Sequence, residues 1–243
     1  MELKVLPDYN TLSEFAAKRI IGVVREKPTA VLCLATGDSP LGTYRAVVAE
    51  GRRMGVDFSN VTFVALDEWV GIPPTNPGSC KFYLKEHLLD PLGTQSSHTH
   101  FFDGLSTNLN EECVKMDNTI RGVGGIDLML VGIGLNGHVG FNEPGISPDH
   151  YSHVVPLEES TRKSGQKYFS EAMDLKDGIT LGLKHFMESR SVIMMANGIK
   201  KADIILQALE LPLPSGVPAS IIRKHANGTV LLDKEAASFL TIK

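Results

Sequence analysis

The stretch Thr29-Ala-Val-Leu-Cys-Leu-Ala-Thr-Gly-Asp-Ser-Pro40 decides the fold class, because a short unbroken apolar run ends here in a polar turn that carries Gly and Pro. Val and Leu fall on both faces of Thr29–Leu34, which predicts a strand buried inside a parallel sheet, and Leu41–Met54 then predicts a returning helix. The alternation continues outward in both directions. Upstream, Thr11-Leu-Ser-Glu14 reads as a capping box, and Phe15, Ala16, Ile20, Val23 and Val24 recur at helical spacing, so a first helix is expected to run to about Glu26. Downstream, strands are expected at Val61–Leu66, Ile126–Val131, Ser191–Ala196 and Thr229–Leu232, with helices at Cys80–Leu89, Leu109–Val123 and Lys200–Leu209. Strands that alternate with helices imply βαβ units, hence a Rossmann-like three-layer α/β/α architecture with a mainly parallel sheet.

The chain of 243 residues is 42% hydrophobic and 21% charged, with no linker-like stretch, so one domain over 1–243 is expected. Its longest apolar runs are far short of the ~20 residues of a membrane-spanning helix, so no membrane partner is expected. The opening Met-Glu-Leu-Lys-Val-Leu-Pro-Asp lacks the basic head and apolar stretch of a secretory signal, and a cytoplasmic location follows as the expectation. Cys33, Cys80 and Cys113 have no Cys-x-x-Cys spacing, which argues against a disulfide framework and a structural zinc site. Net charge is -4 and the basic residues are scattered, so nucleic acid is not an expected partner. A small ligand is, and an anionic one would have to be held by a local device.

In open α/β sheets ligands bind beyond the carboxyl ends of the strands. This rule selects Thr36–Pro40, the Asp67-Glu68 pair, the Gly132–Glu143 loop and the Asn197-Gly198 turn with the lysines after it. Thr36-Gly-Asp-Ser-Pro40 precedes a helix start, where free N–H groups and the positive end of the dipole meet; it is either a phosphate cradle or an ordinary turn with Ser39 as N-cap. Lys200-Lys201 at another helix start are disfavoured by the dipole unless an anion is near. Asp67-Glu68, directly after a buried strand, places at least one carboxylate where desolvation tunes it toward a general base.

Gly132-Ile-Gly-Leu-Asn-Gly137 spells the dinucleotide fingerprint, yet its continuation His138-Val-Gly-Phe-Asn-Glu-Pro-Gly145 is loop chemistry rather than a helix, so no nicotinamide cofactor is expected. The same loop gathers Asn136, His138, Asn142 and Glu143, a density that suggests acid–base catalysis with the imidazole oriented by a carboxylate. His98-Thr-His100 lacks a third ligand at a telling distance, and no metal is expected there.

Taken together, Leu34-Ala-Thr-Gly-Asp-Ser-Pro-Leu-Gly42, Leu66-Asp-Glu-Trp-Val70, Gly125-Ile-Asp127 and Gly132–Gly145 resemble the glucosamine-6-phosphate deaminase/isomerase family over essentially the whole chain. The Phe-Asn-Glu-Pro-Gly continuation separates it from the related 6-phosphogluconolactonases. Asp67-Glu-Trp-Val, Pro77-Gly-Ser-Cys80 and Asn136-Gly-His138 look nearer to the galactosamine-6-phosphate branch than to the glucosamine branch.

The resemblance implies an aldose–ketose isomerase/deaminase that turns a hexosamine 6-phosphate, galacto or gluco, into the ketohexose 6-phosphate plus ammonia, without metal or organic cofactor. Asp67 would move the proton between C2 and C1. His138 would open the pyranose ring with Glu143 as its charge partner, and Asn136 stands where the family has an Asp. Thr36, Gly37, Asp38 and Ser39, with Lys201 and Lys167, would hold the 6-phosphate. Asp38 occupies a position often filled by a small residue, so its carboxylate must point away from a bound phosphate or weaken it. Lys167 replaces an Arg of the glucosamine branch and keeps the charge without the bidentate fork. His153 and Val155 stand where some members build an activator site, which implies no activation by an N-acetylamino-sugar phosphate. Residues 157–178 would form a lid. The family includes monomers and homo-oligomers. A lactonase and a non-catalytic sugar-phosphate sensor are the competing readings, and fold alone does not separate them.

Overall fold

The computed structural model describes residues 1–212 and 216–241; the rest of the expected 1–243 domain lies outside the described residues. In chain order the elements are β1 (Glu2–Leu6), α1 (Tyr9–Glu26), β2 (Val31–Leu34), α2 (Asp38–Met54), β3 (Thr62–Ala65), β4 (Asp67–Trp69), α3 (Cys80–Leu84), α4 (Asp90–Leu92), β5 (Thr99–His100), α5 (Leu109–Gly122), β6 (Leu128–Val131), β7 (His153–Pro156), α6 (Glu159–Gly165), β8 (Asp177–Thr180), α7 (Leu183–Glu188), β9 (Val192–Ala196), α8 (Ala202–Leu209) and β10 (Gly228–Asp233). A π-helical turn, Lys85–Leu89, joins α3 to α4.

Seven strands form one sheet in the order β1-β10-β9-β6-β2-β3-β5, and every pairing in it is parallel. The central strands are buried end to end, as their unbroken apolar runs require. Alternate side chains feed two cores. Val31, Cys33, Val64, Met129 and Val131 pack on one face with α5 and α8. Leu32, Leu34, Phe63, Leu128 and Leu130 pack on the other with α1 and α2. The expected three-layer α/β/α domain is therefore present. Asp127, at the amino end of β6, ties three segments together: its carboxylate accepts from Lys27 Nζ at 3.0 and 2.8 Å and from Val31 N at 2.7 Å, and it also contacts Arg190.

Two local expectations need correction, and two strands have no counterpart in the sequence reading. The first helix starts at Tyr9, not Thr11, because the Asp8 side chain accepts from Thr11 N at 2.8 Å and takes the N-cap role. β1 was not expected; it is a half-exposed edge strand paired with β10. Asp67-Glu68-Trp69, placed by the sequence only directly after a buried strand, forms β4, which leaves the main sheet and pairs antiparallel with β8, itself paired with β7. Lys200 and Lys201 do not open α8 but lie in the short 3-10 turn Ile199–Lys201 before it.

Candidate active site

The carboxyl ends of β2, β3, β6 and β9 surround a cleft of about 410 Å³, and it gathers Thr36, Gly37, Asp38, Ser39, Asp67, His138, Lys167 and Lys201 in its lining. Three of the four places that the strand-end rule selected converge directly, and Asn197 brings in the fourth. A cavity of about 440 Å³ also opens beside β5, among Lys81, Lys85, His100 and Lys115, but it holds no buried carboxylate or paired imidazole.

The acidic pair divides its labour. Glu68 is buried and fully engaged: Oε1 accepts from Trp69 N and Cys80 N at 2.9 Å, and Oε2 from Lys81 N at 3.0 Å, so it caps the start of α3. Burial raises its pKa, and those N–H bonds hold the rise in check. Asp67 is equally buried, yet its Oδ1 has no hydrogen-bond partner. Burial pushes its carboxyl up to about 7, a rise that the Cys80 thiol moderates and the charge of Glu68 reinforces. A buried carboxylate titrating near neutrality, with a lone pair left over and a cleft in front of it, suits a general base.

His138 lies in the β6–β7 connection with its ring against the backbone of Gly134, where an added Cβ would come within 2.4 Å of the imidazole, so only glycine allows this approach. Its Nδ1 is 3.1 Å from Thr161 Oγ1 and 3.5 Å from Glu143 Oε2. A carboxylate only accepts, so this side fixes the Nδ1–H tautomer of the neutral ring and leaves Nε2 as the free acceptor. Glu143 also accepts from Asn136 Nδ2 at 2.8 Å and Glu158 N at 3.2 Å, while Asn136 Oδ1 accepts from His138 N at 3.2 Å. Burial raises the Glu143 pKa, but its hydrogen bonds and His138 outweigh this and leave it lowered. Asn136 thus orients the pair through an amide. Asn142 is not in the cleft's chemistry; its amide ties Val139 O to Leu181 O at 2.8 Å. The glycines of Gly132–Gly137 turn the chain rather than open a helix.

At the Thr36–Pro40 turn, Gly37 takes φ 121°, a conformation that favours glycine, and precedes α2 with no side-chain cap. The first N–H groups of α2 therefore lack intrahelical partners at the positive end of the dipole, where Thr36–Pro40 line the cleft. Ser39 is not the N-cap: its Oγ donates to Asn197 Oδ1 at 2.9 Å, joining the β2 and β9 loops. Three tyrosines pin the turn's carbonyls, with Tyr9 on Asp38 O at 2.8 Å, Tyr83 on Gly37 O at 2.6 Å and Tyr44 on Ala35 O. Lys201 Nζ donates to Ile133 O at 2.6 Å; burial and the neighbouring charge of Lys167 pull its pKa down to about 8, against the opposing pull of Asp38. Lys167 pairs with Asp38.

Within residues 157–178, α6 and the turn Gln166–Tyr168 roof the cleft, with Thr161, Ser164, Gly165, Lys167 and Tyr168 in its lining. This segment is more apolar inside than its composition suggests, since Leu157, Leu175, Tyr168 and Phe169 pack with Trp69 and Phe141 in a third small core. Thr161 in the cleft lining, and Tyr83, Tyr9 and Tyr44 on the carbonyls of residues 35–38, are contacts with no counterpart in the sequence reading. No local pattern announces them, because their partners are 9 to 46 positions away. Among the described residues no group of three or more His, Cys, Asp or Glu side chains is arranged to hold a metal ion, and no helix is long and apolar enough to cross a membrane.

Proton transfer on a small anionic substrate is the chemistry such a cleft can perform, which places the molecule among α/β enzymes of phosphorylated metabolites. Comparison with known proteins makes this specific: the chain belongs to the glucosamine-6-phosphate isomerase/6-phosphogluconolactonase family, whose model matches residues 9–232. A glucosamine-6-phosphate deaminase from Geobacillus sp. (strain WCH70) is 40% identical over 241 residues, which covers 99% of this chain and 96% of that one. Another from Shouchella clausii (strain KSM-K16) is 38% identical, covering 100% and 99%. The solved structure of a monomeric glucosamine-6-phosphate deaminase superposes with a TM-score of 0.96 at 35% identity, over 99% of this chain and all of that one. The 6-phosphogluconolactonase of Trypanosoma brucei shares the fold, with a TM-score of 0.78 at 19% identity.

Proposed function

We propose that the protein is an isomerase/deaminase that converts a 2-amino-2-deoxyhexose 6-phosphate into the ketohexose 6-phosphate and ammonia. One observation carries the reading: Asp67, buried, short of a hydrogen-bond partner and titrating near neutrality, shares a single cleft with a carboxylate-backed imidazole and an uncapped helix start. The family and the full-length relatives support it.

In this mechanism Thr36, Gly37, Asp38 and Ser39 contribute backbone and hydroxyl groups to the 6-phosphate, with Lys201 and Lys167 as counter-charges. His138 Nε2 takes the anomeric hydroxyl proton and returns one to the ring oxygen, and Glu143 balances the imidazolium between those events. Asp67, ionised, removes the C2 proton of the open aldehyde form, the 2-ammonium group gives a proton to O1 so that the product is an enolamine, and Asp67 returns its proton to C1. The resulting C2 imine adds water, and ammonia leaves from the same carbon. No step calls for a metal or an organic cofactor, and the substrate is the only partner required. A single chain supplies every residue named, in keeping with the monomeric relative.

The named relatives favour glucosamine 6-phosphate, whereas Asp67-Glu-Trp-Val, Pro77–Cys80 and Asn136-Gly-His138 favour the galacto epimer. The test is ammonia release from both sugars, run beside hydrolysis of 6-phosphogluconolactone. Release from either amino sugar supports the proposal and identifies the epimer; lactone hydrolysis without ammonia release replaces it with the hydrolase.

A further inference from the structure

Asp38 is the residue of the cleft whose charge is wrong for its place. It is the first residue of α2, at the mouth of a cradle built for an anion. Its backbone is committed, with the carbonyl accepting from Tyr9, but its carboxylate swings to Lys167, 129 positions away in the roof. Lys167 Nζ lies 4.9 Å from the centre of the Tyr168 ring, and a Cβ placed on Gly37 would come within 3.2 Å of the Tyr168 hydroxyl. Roof and cradle therefore meet at one seam, Gly37-Asp38 against Lys167-Tyr168, and its charged contact is this ion pair.

We propose that Asp38 is a built-in anion that occupies Lys167 while the cradle is empty and yields it to the ligand's phosphate, so that Asp38 sets phosphate affinity in this chain. The proposal rests on the sugar-phosphate reading of the cleft. Both side chains are largely in water, at 70% exposure for Asp38 and 50% for Lys167, so their attraction is weak enough to be exchanged. A phosphate monoester brings about two negative charges near neutral pH and three acceptor oxygens, and it can engage the free N–H groups of α2, Lys201 and Lys167 together. A single carboxylate on Lys167 cannot match that set. It does, however, make every phosphate compete for one of its two cations and approach a like charge, and it keeps the roof seated when nothing is bound. Burial works against the Lys167 charge, but the contact with Asp38 and the neighbouring Tyr168 outweigh it and raise its pKa above the ordinary lysine value.

The molecule carries its own reporter. Trp69 is the sole tryptophan; its ring centre is 6.1 Å from that of Phe169 in the roof, and Gly165 of α6 packs on its indole. The experiment is calorimetric titration with inorganic phosphate of the wild type, Asp38→Asn, Lys167→Met and the double variant, with tryptophan emission recorded alongside. Removing the competing charge should tighten phosphate binding about fivefold at low ionic strength, the scale of an exposed ion pair. The gain should shrink as salt is added and fall below about twofold when Lys167 is already Met. Empty Asp38→Asn should show altered Trp69 emission that phosphate restores. Equal or weaker phosphate binding by Asp38→Asn, or an undiminished gain in the Lys167→Met background, overturns the proposal alone. No phosphate binding by any of the four proteins overturns the cradle and the proposal together.

Discussion

Asp67→Asn should make the protein more stable as the pH rises, in the same range where the wild type becomes active. The wild-type carboxyl titrates at about 7 in the folded chain against an ordinary value of 3.8, a gap of about three pH units with burial as its main cause. At ~1.4 kcal/mol per unit, ionising it inside the fold costs about 4 kcal/mol, and the repulsion of Glu68 is part of that cost. The sign follows from the raised pKa. Below pH 4 the side chain is protonated in both folded and unfolded states and imposes no charge penalty. Between pH 4 and 7 the unfolded chain releases the proton and the folded chain keeps it, so wild-type stability falls; above 7 the full penalty is present. Asparagine never ionises, and any cost of burying its amide beside the unpartnered position is the same at every pH. Urea unfolding of both proteins at pH 4.5, 6, 7 and 8 should therefore show a stability difference that moves in favour of the variant by about 2–4 kcal/mol across the series, then levels off. Parallel stability profiles would refute the buried, near-neutral carboxylate on which the mechanism depends.

His138→Ala should lower turnover by about 10²–10⁴ through loss of ring opening, while calorimetric affinity for inorganic phosphate stays within about twofold; lost phosphate binding would reassign His138 to a structural role. Since Lys201 loses its proton at about pH 8, phosphate affinity of the wild type should fall as pH rises through that value, and Lys201→Met should flatten the profile, as read by titration at pH 7, 8 and 9. Asp127→Ala removes the acceptor of Lys27, Val31 and Arg190 at the far end of the sheet and should cost about 2 kcal/mol in urea unfolding. The loss stays at that lower end because Lys27 and Arg190, 39% and 61% exposed, can rehydrate.

The main sheet was legible because its central strands are enclosed on both faces, so Val31–Leu34, Leu128–Val131 and Val192–Ala196 had to be unbroken apolar runs. The small antiparallel sheet was not. β4 is an acidic dipeptide and a tryptophan, β7 opens with a histidine, and β8 with Asp-Gly; each takes its strand form from tertiary pairing rather than from a pattern of its own. β1 escaped notice for a related reason, since an edge strand with exposed side chains has no periodic apolar signature. That Asp67, His138 with its partner Glu143, and the Thr36–Ser39 turn meet at one cleft was readable because they follow strands, beyond whose carboxyl ends ligands bind in this architecture. What the sequence could not tell was which acid of the pair is free. Only the three N–H groups on Glu68 show that it caps a helix and leaves Asp67 available. Nor could the sequence show that Thr161 stands nearer to the imidazole Nδ1 than Glu143 does, because the roof brings it there from 23 positions away.

The most direct test of the account is the rate of ammonia release from glucosamine 6-phosphate and galactosamine 6-phosphate between pH 5 and 9, with Asp67→Asn measured in parallel. The account predicts release from at least one of the two sugars, a kcat/KM that declines below an apparent pKa of about 7, and a variant slower by at least about a thousandfold that still binds inorganic phosphate. Ammonia release from neither sugar, or an Asp67→Asn variant that keeps the wild-type rate, would contradict it.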